Sequence, residues 1–231
     1  TIGTFYYYAK CSNETEFYKL KHAENDNLIL KCINDPNDAD IANCFVAIYG
    51  DMFFFKSKQL FTFNGILWVK DETSLQRCIT KDFRNIFIDY ITKLYIESKT
   101  IDKISQPLEF SNMERRIKQV GVVKDILGNN YKSKQICEVC ERDILKNSED
   151  IKIELNPNRF CFKNKVFDLE FNKFVEPYKY DYMTIHTGYN YVEPTEEETN
   201  SVNKLISEIF PIEDERNLYL FLLAIGLSGY F

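Results

Sequence analysis

A chain of 231 residues with 45% hydrophobic and 28% charged content carries enough apolar material for one or two cores, which argues against a disordered tail. Its formal charge of −6 argues against a protein that coats DNA by bulk electrostatics. Seven cysteines, an odd number set in apolar contexts, point away from a disulfide framework and towards reduced thiols in a cytosol-like compartment.

In chain order, FYYYAKC and EFYKLKHA predict a helical region that ends at the polar break NDPNDAD. No secretory leader is legible in TIGTFYYYAK, and a start at Thr1 leads us to expect excision from a longer chain. Asp38 or Asp40 is expected to cap a new helix over IANCFVAIYG. Next, MFFFKSKQLFTFNGILWVKDE reads as three short strands, Met52–Phe55, Leu60–Phe63 and Ile66–Lys70. Aromatic and β-branched residues cluster there between turn signals at Lys56–Lys58 and Asn64-Gly65. From Leu75 the apolar residues fall at 75, 79, 83, 86, 87, 90, 91 and 94, a helical spacing expected to cover the meander.

SQPLEF breaks that pattern, and a second block begins in which Met113, Ile117, Val120 and Leu127 share a face while Arg115 and Lys118 project away from it. KSKQICEVCERDIL predicts another helix. RFCFKNKVFDLEFNKFVEP predicts a pair of strands turning at Lys163–Asn164, with TIHTGYNY extended after it. Thr195 and Glu198 form a capping box opening a helix whose Val202, Leu205, Ile206 and Ile209 are expected to face inward before Pro211 ends it. The apolar stretch NLYLFLLAIGLSGYF predicts the closing helix. Its run from Leu218 to Leu227 is roughly half the ~20 residues a bilayer span needs, so no membrane partner is expected. The fold class is α+β, mainly helical with small antiparallel meander and hairpin elements and no parallel nucleotide-binding sheet.

Chemistry-bearing motifs are sparse. None of the eight glycines precedes a lysine, so the chain holds no P-loop to cradle phosphates. His22 and His186 lie in no nucleophile motif, and no catalytic residue is assigned. Cys137 and Cys140 have the spacing of half a zinc site, with Cys161 and His186 the later candidates. The plainer reading is two partly buried thiols one helical turn apart, and no metal is assigned. Asp38-Ala39-Asp40 resembles a metal-holding carboxylate pair but precedes a helix, where acids serve the N-terminus, as does the EEE run at 196–198.

Charge is unevenly spread. Residues 114–134 carry six Lys/Arg against two acids, whereas 193–216 carry eight acids against two bases. Arg115, Arg116, Lys118, Lys124, Lys132 and Lys134 either neutralise nucleic-acid phosphates or form an ordinary solvated face; no base-reading motif decides between the two.

Four strings occur in order: FNGILW (Phe63–Trp68), NKVFDLE (Asn164–Glu170), TIHTGYNY (Thr184–Tyr191) and EPTEEE (Glu193–Glu198). Together they resemble the region before the helicase domain in poxvirus-type primase-helicases of large DNA viruses, over about Ile41 to Phe231. The resemblance implies an upstream primase, a linker (residues 1–40), this module and then a superfamily-3 AAA+ helicase. The module would comprise a helix, meander and long helix (41–112) and a helical and hairpin region (113–231). It implies ATP and Mg in the parent but no cofactor in this part. It also implies single-stranded or forked DNA, the C-terminal ATPase domain and a homo-hexamer as partners, and viral replication sites in the host cytoplasm as the location. Two roles follow: a pre-helicase accessory that positions DNA and supports the ring, or a structural interdomain connector without DNA contact.

Overall fold

In the computed structural model, which describes residues 8–9, 12–148, 151, 153 and 158–228, the first long helix starts where Asn13 accepts the Glu16 N–H at 3.1 Å. This helix, α1, spans Glu14–Asn34. Of the stretch FYYYAKC expected to be helical, Phe5, Tyr6, Tyr7, Lys10 and Cys11 lie outside the described residues. The second helix, α2 (Asp38–Tyr49), is capped by Asn37 rather than by Asp38 or Asp40. The Asn37 Oδ1 accepts the Asp40 N–H at 2.9 Å, and the two aspartates fill the first turn, where the helix dipole favours them. The Asp40 carboxylate accepts from Lys31 Nζ at 2.7 Å, and this hydrogen bond holds it below the ordinary carboxylate range.

Strands β1 (Phe53–Lys56), β2 (Gln59–Phe63) and β3 (Trp68–Lys70) form an antiparallel sheet in that order. β1 and β2 pair Phe54 with Phe61 and Lys56 with Gln59, across a two-residue turn in which Ser57 (φ 51) and Lys58 (φ 62) are both left-handed. Ile66 and Leu67, expected in the third strand, stay out of it because their N–H groups donate to the Asn64 side chain, both at 2.9 Å.

The helix predicted from Leu75 is present but composite: α3 (Ser74–Cys78), a π-helical turn over Ile79–Phe83, and α4 (Arg84–Ser98). Its wholly buried residues Leu75, Ile79, Phe83 and Phe87 recur every four residues. An ideal α-helix would drift by about 40° at each such step, and the wider π turn absorbs part of that drift, keeping the four side chains on one core. After it come α5 (Pro107–Gly128), with Pro107 at its first turn, and α6 (Asn130–Asn147).

Two compact units result, one within Thr1–Thr62 and Lys70–Ile151, the other within Phe63–Val69 and Lys152–Phe231. In the first, α2 packs on α6, α4 on α5, and α1 on α2 and α5. Phe45 meets Phe83 edge-on at 5.4 Å, and Phe83 meets Phe87 in the same way at 5.3 Å.

The second unit holds β4 (Arg159–Cys161), β5 (Val166–Asp168) and β6 (Lys173–Val175), an antiparallel sheet in chain order rather than the expected pair. The extra strand follows from Asp168, whose Oδ1 accepts the N–H groups of Glu170 (2.9 Å) and Phe171 (3.0 Å) and turns the chain back. TIHTGYNY joins no ladder but runs beside β4, with Thr187 donating to the Cys161 carbonyl at 2.9 Å and Lys163 donating to the Tyr189 carbonyl at 3.0 Å. Leu67, Cys161, Val166 and Met183 form this unit's buried cluster.

Helix α7 (Glu196–Ile209) carries the predicted capping box in full, Thr195 Oγ1 accepting the Glu198 N–H and Glu198 Oε2 accepting the Thr195 N–H. Its apolar stripe does not face inward, contrary to expectation: Val202, Leu205 and Ile209 are 53%, 56% and 59% exposed, and Ile206 is half-buried. Helical period fixes which residues share a stripe, but burial needs a surface opposite, and the principal neighbour of α7 is the closing helix α8 (Glu213–Ser228). Leu218, Phe221 and Leu222 of α8 are exposed as well. No helix among the described residues is long and apolar enough to cross a membrane.

Candidate nucleic-acid interface

All six predicted basic positions lie on α5 and α6. The buried stripe of α5, Val120, Val123 and Leu127, fixes its rotation, and this leaves Arg115 and Lys118, one turn apart, exposed on the opposite side. At the far end, the Arg84 Nε–H donates to the Lys124 carbonyl at 3.1 Å, and the same guanidinium lies 3.0 Å from where a Cβ on Gly128 would stand. Asn129 then ends α5 and caps α6, its side chain accepting the N–H groups of Tyr131 (3.0 Å) and Lys132 (3.2 Å). One residue thus sets the corner between the two basic helices.

The six cations differ in how far they are committed. Arg116 donates to the Tyr90 hydroxyl at 2.7 Å and lies over that ring, 5.7 Å from its centroid. Lys124 pairs with Asp125 at 3.0 Å, and Lys132 stands 3.9 Å from Asp38. Arg115, Lys118 and Lys134 are exposed, with no carboxylate within 4.0 Å among the described residues. Arg115, Arg116 and Lys118 occupy a single turn of α5, Lys124 lies about 9 Å further along, and Lys132 and Lys134 follow the corner. The exposed, carboxylate-free Arg115 and Lys118 of α5 and Lys134 of α6 can meet a polyanion by their charge.

The thiols are placed for packing. Cys137 and Cys140 sit on the buried side of α6, the Cys140 Sγ 3.9 Å from the Ala42 carbonyl, while Cys161 belongs to the second unit's cluster. Burial raises the thiols of Cys137 and Cys78 to about 12 and that of Cys161 to about 11. His186 is exposed, its Nδ1 accepting the Gly188 N–H at 2.8 Å. Among the described residues no three His, Cys, Asp or Glu side chains are grouped to hold a metal ion.

A polar network that sequence reading did not single out lies in the second unit. Arg159 pairs with Asp168 and stands 3.4 Å from Asp181. Backbone N–H donors, that of Phe171 foremost, hold Asp168 below the ordinary carboxylate range, whereas burial raises Asp181. The network anchors the sheet to the turn after β6, and its signal in the sequence, one Arg and two Asp far apart, has no spacing to recognise.

Comparison with known proteins places these elements in a family. The chain is 24% identical over 240 residues to a protein of Acanthamoeba polyphaga mimivirus named "Putative helicase", covering 99% of this chain and 24% of that protein. It therefore spans about a quarter of the length of the curated relative it matches. A family model described as "D5 N terminal like" matches residues 42–211, which include both sheets, both basic helices and α7. The four strings FNGILW, NKVFDLE, TIHTGYNY and EPTEEE all fall in the second unit, where Leu67, Val166 and Met183 share one core. The chain belongs to the D5 N terminal like family, the domain found N-terminal to the helicase in D5-type viral primase-helicases.

Proposed function

We propose that this chain is the pre-helicase accessory module of a viral DNA-replication primase-helicase. It positions single-stranded or forked DNA and supports the hexameric ring of an ATP-dependent helicase that lies C-terminal to it in the parent. ATP and Mg belong to that ATPase domain, and the site of action is the viral replication site in the host cytoplasm. The observation that carries the DNA contact is that Arg115, Lys118 and Lys134 are exposed and without carboxylate partners among the described residues, on helices whose other sides are held in a core. Phosphates neutralised there would release counterions, so affinity should fall as salt rises. The exposed apolar residues of α7 and α8 support a joint that buries them against the ATPase domain.

A second reading, a structural connector without DNA contact, draws on the internal commitment of Arg116, Lys124 and Lys132. The double variant Arg115→Glu/Lys118→Glu in the full-length parent separates the two. The first reading expects weakened DNA binding, ring assembly or both. Wild-type assembly, strand binding and unwinding by that variant would leave the connector.

A further inference from the structure

The sheet β4–β5–β6 has two different faces. Alternation turns Cys161, Val166 and Val175 towards the buried cluster with Leu67 and Met183. On the opposite face, Phe160, Phe167 and Phe174 stand in register across all three strands. Phe162 joins them at 5.3 Å from Phe160, and it contacts Tyr189 at 5.7 Å and Tyr191 at 5.2 Å. This face is therefore lined by aromatic rings although it is not the core face. The phenylalanines are half-buried and Tyr189 is 59% exposed.

The face is also held in place and positively charged. Asn164 donates to the Tyr191 carbonyl at 2.9 Å and accepts the Tyr191 N–H at 2.7 Å, which fixes the tyrosine segment beside the β4–β5 turn. Lys165 Nζ lies 5.1 Å from the Phe174 centroid and 5.4 Å from that of Tyr191. Neither Lys165 nor its exposed neighbour Lys163 has a carboxylate partner among the described residues. One acid sits at the rim: Glu193 accepts from the Tyr191 hydroxyl at 2.8 Å. Flat rings beside ammonium groups that have no carboxylate partner among the described residues match a ligand that alternates flat bases with phosphates.

We propose that the outer face of β4–β5–β6 is a nucleobase-stacking platform for single-stranded nucleic acid, with Tyr189 and Phe162 as stacking surfaces and Lys163 and Lys165 on the phosphates. Stacking of this kind tolerates any base, because every base has a π face. The platform shares its ligand class with the function proposed above but none of its residues.

The test is fluorescence anisotropy of the 231-residue chain with an oligothymidylate of about 20 nucleotides and with an abasic phosphodiester of equal length. Both are titrated at about 50 and about 200 mM salt. The wild type should prefer the base-bearing strand. Tyr189→Ala should weaken that strand by about tenfold or more with the salt slope unchanged, and Tyr189→Phe should restore it. Lys165→Gln should reduce the salt slope by about one. Arg115→Glu/Lys118→Glu should lower the overall affinity and slope yet keep the preference for bases, so failure of the basic-helix reading remains distinguishable. The proposal is overturned if the abasic strand binds as tightly as oligothymidylate, if neither binds, or if Tyr189→Ala, folded by far-UV circular dichroism, binds like the wild type.

Discussion

The indole N–H of Trp68 donates to the Lys179 carbonyl at 2.6 Å, joining residues 111 apart in sequence. The same ring stacks on Tyr182 at 5.5 Å, and the Trp68 N–H donates to the Met183 carbonyl at 2.8 Å. FNGILW is thus an integral part of the second unit, although the rest of that unit begins more than eighty residues later. Trp68→Phe keeps most of the buried area but removes the indole N–H that donates to the Lys179 carbonyl. It should destabilise the unit by about 1–2 kcal/mol, read as a lower urea midpoint by far-UV circular dichroism.

Strand β1 pairs with β2 on one side, and its Phe55 N–H donates to Ser148 Oγ at 3.0 Å. That hydroxyl, itself buried, donates onward to the Ile144 carbonyl at 2.5 Å. Ser148→Ala removes the acceptor for a backbone N–H and should cost about 1–3 kcal/mol in urea unfolding. An unchanged midpoint would mean that water replaces the hydroxyl without loss.

The cysteines make a prediction about pH. Burial raises Cys161 to about 11 and Cys78 and Cys137 to about 12, against about 8.5 for a free thiol. A raised thiol pKa means that the folded state favours the neutral form. The associated stability is complete below pH about 8.5 and is lost as pH rises through 11–12. At pH about 8 the thiols of Cys78, Cys137 and Cys161 should react with a thiol-specific disulfide reagent roughly 100-fold more slowly in the folded chain than in urea. Fast stoichiometric labelling of the folded chain at Cys137 would contradict this placement.

The helices and the hairpin of the first unit were largely legible in the sequence because their signals are local. Hydrophobic period located α4, α5 and α6, and the polar turn Lys56–Lys58 between aromatic runs located the β1–β2 hairpin, although not its left-handed Ser57 and Lys58. Cap identity was not legible, since Asn37, Asp38 and Asp40 all suit an N-terminus and geometry alone selects Asn37. The stripe of α7 was legible as a stripe, but what covers it was not, because period reports a shared side and not a partner. Among the site residues, the opposition of Arg115 and Lys118 to the α5 core followed from spacing. The capture of Arg116 by Tyr90, 26 positions away, did not. The aromatic face of β4–β6 was written in the alternation of RFCF, VFD and KFV, but β6 had to be recognised before the rings could be placed in register.

Salt-dependent binding is the sharpest test of the proposed phosphate contact by Arg115 and Lys118 of α5. Anisotropy of a labelled single strand with the wild-type chain and with Arg115→Glu/Lys118→Glu is measured at about 50 and about 200 mM salt. The account predicts wild-type binding that weakens as salt rises, and a double variant with lower affinity and a salt slope reduced by about two. Absence of wild-type binding at low salt, or identical slopes for the two proteins, would contradict it.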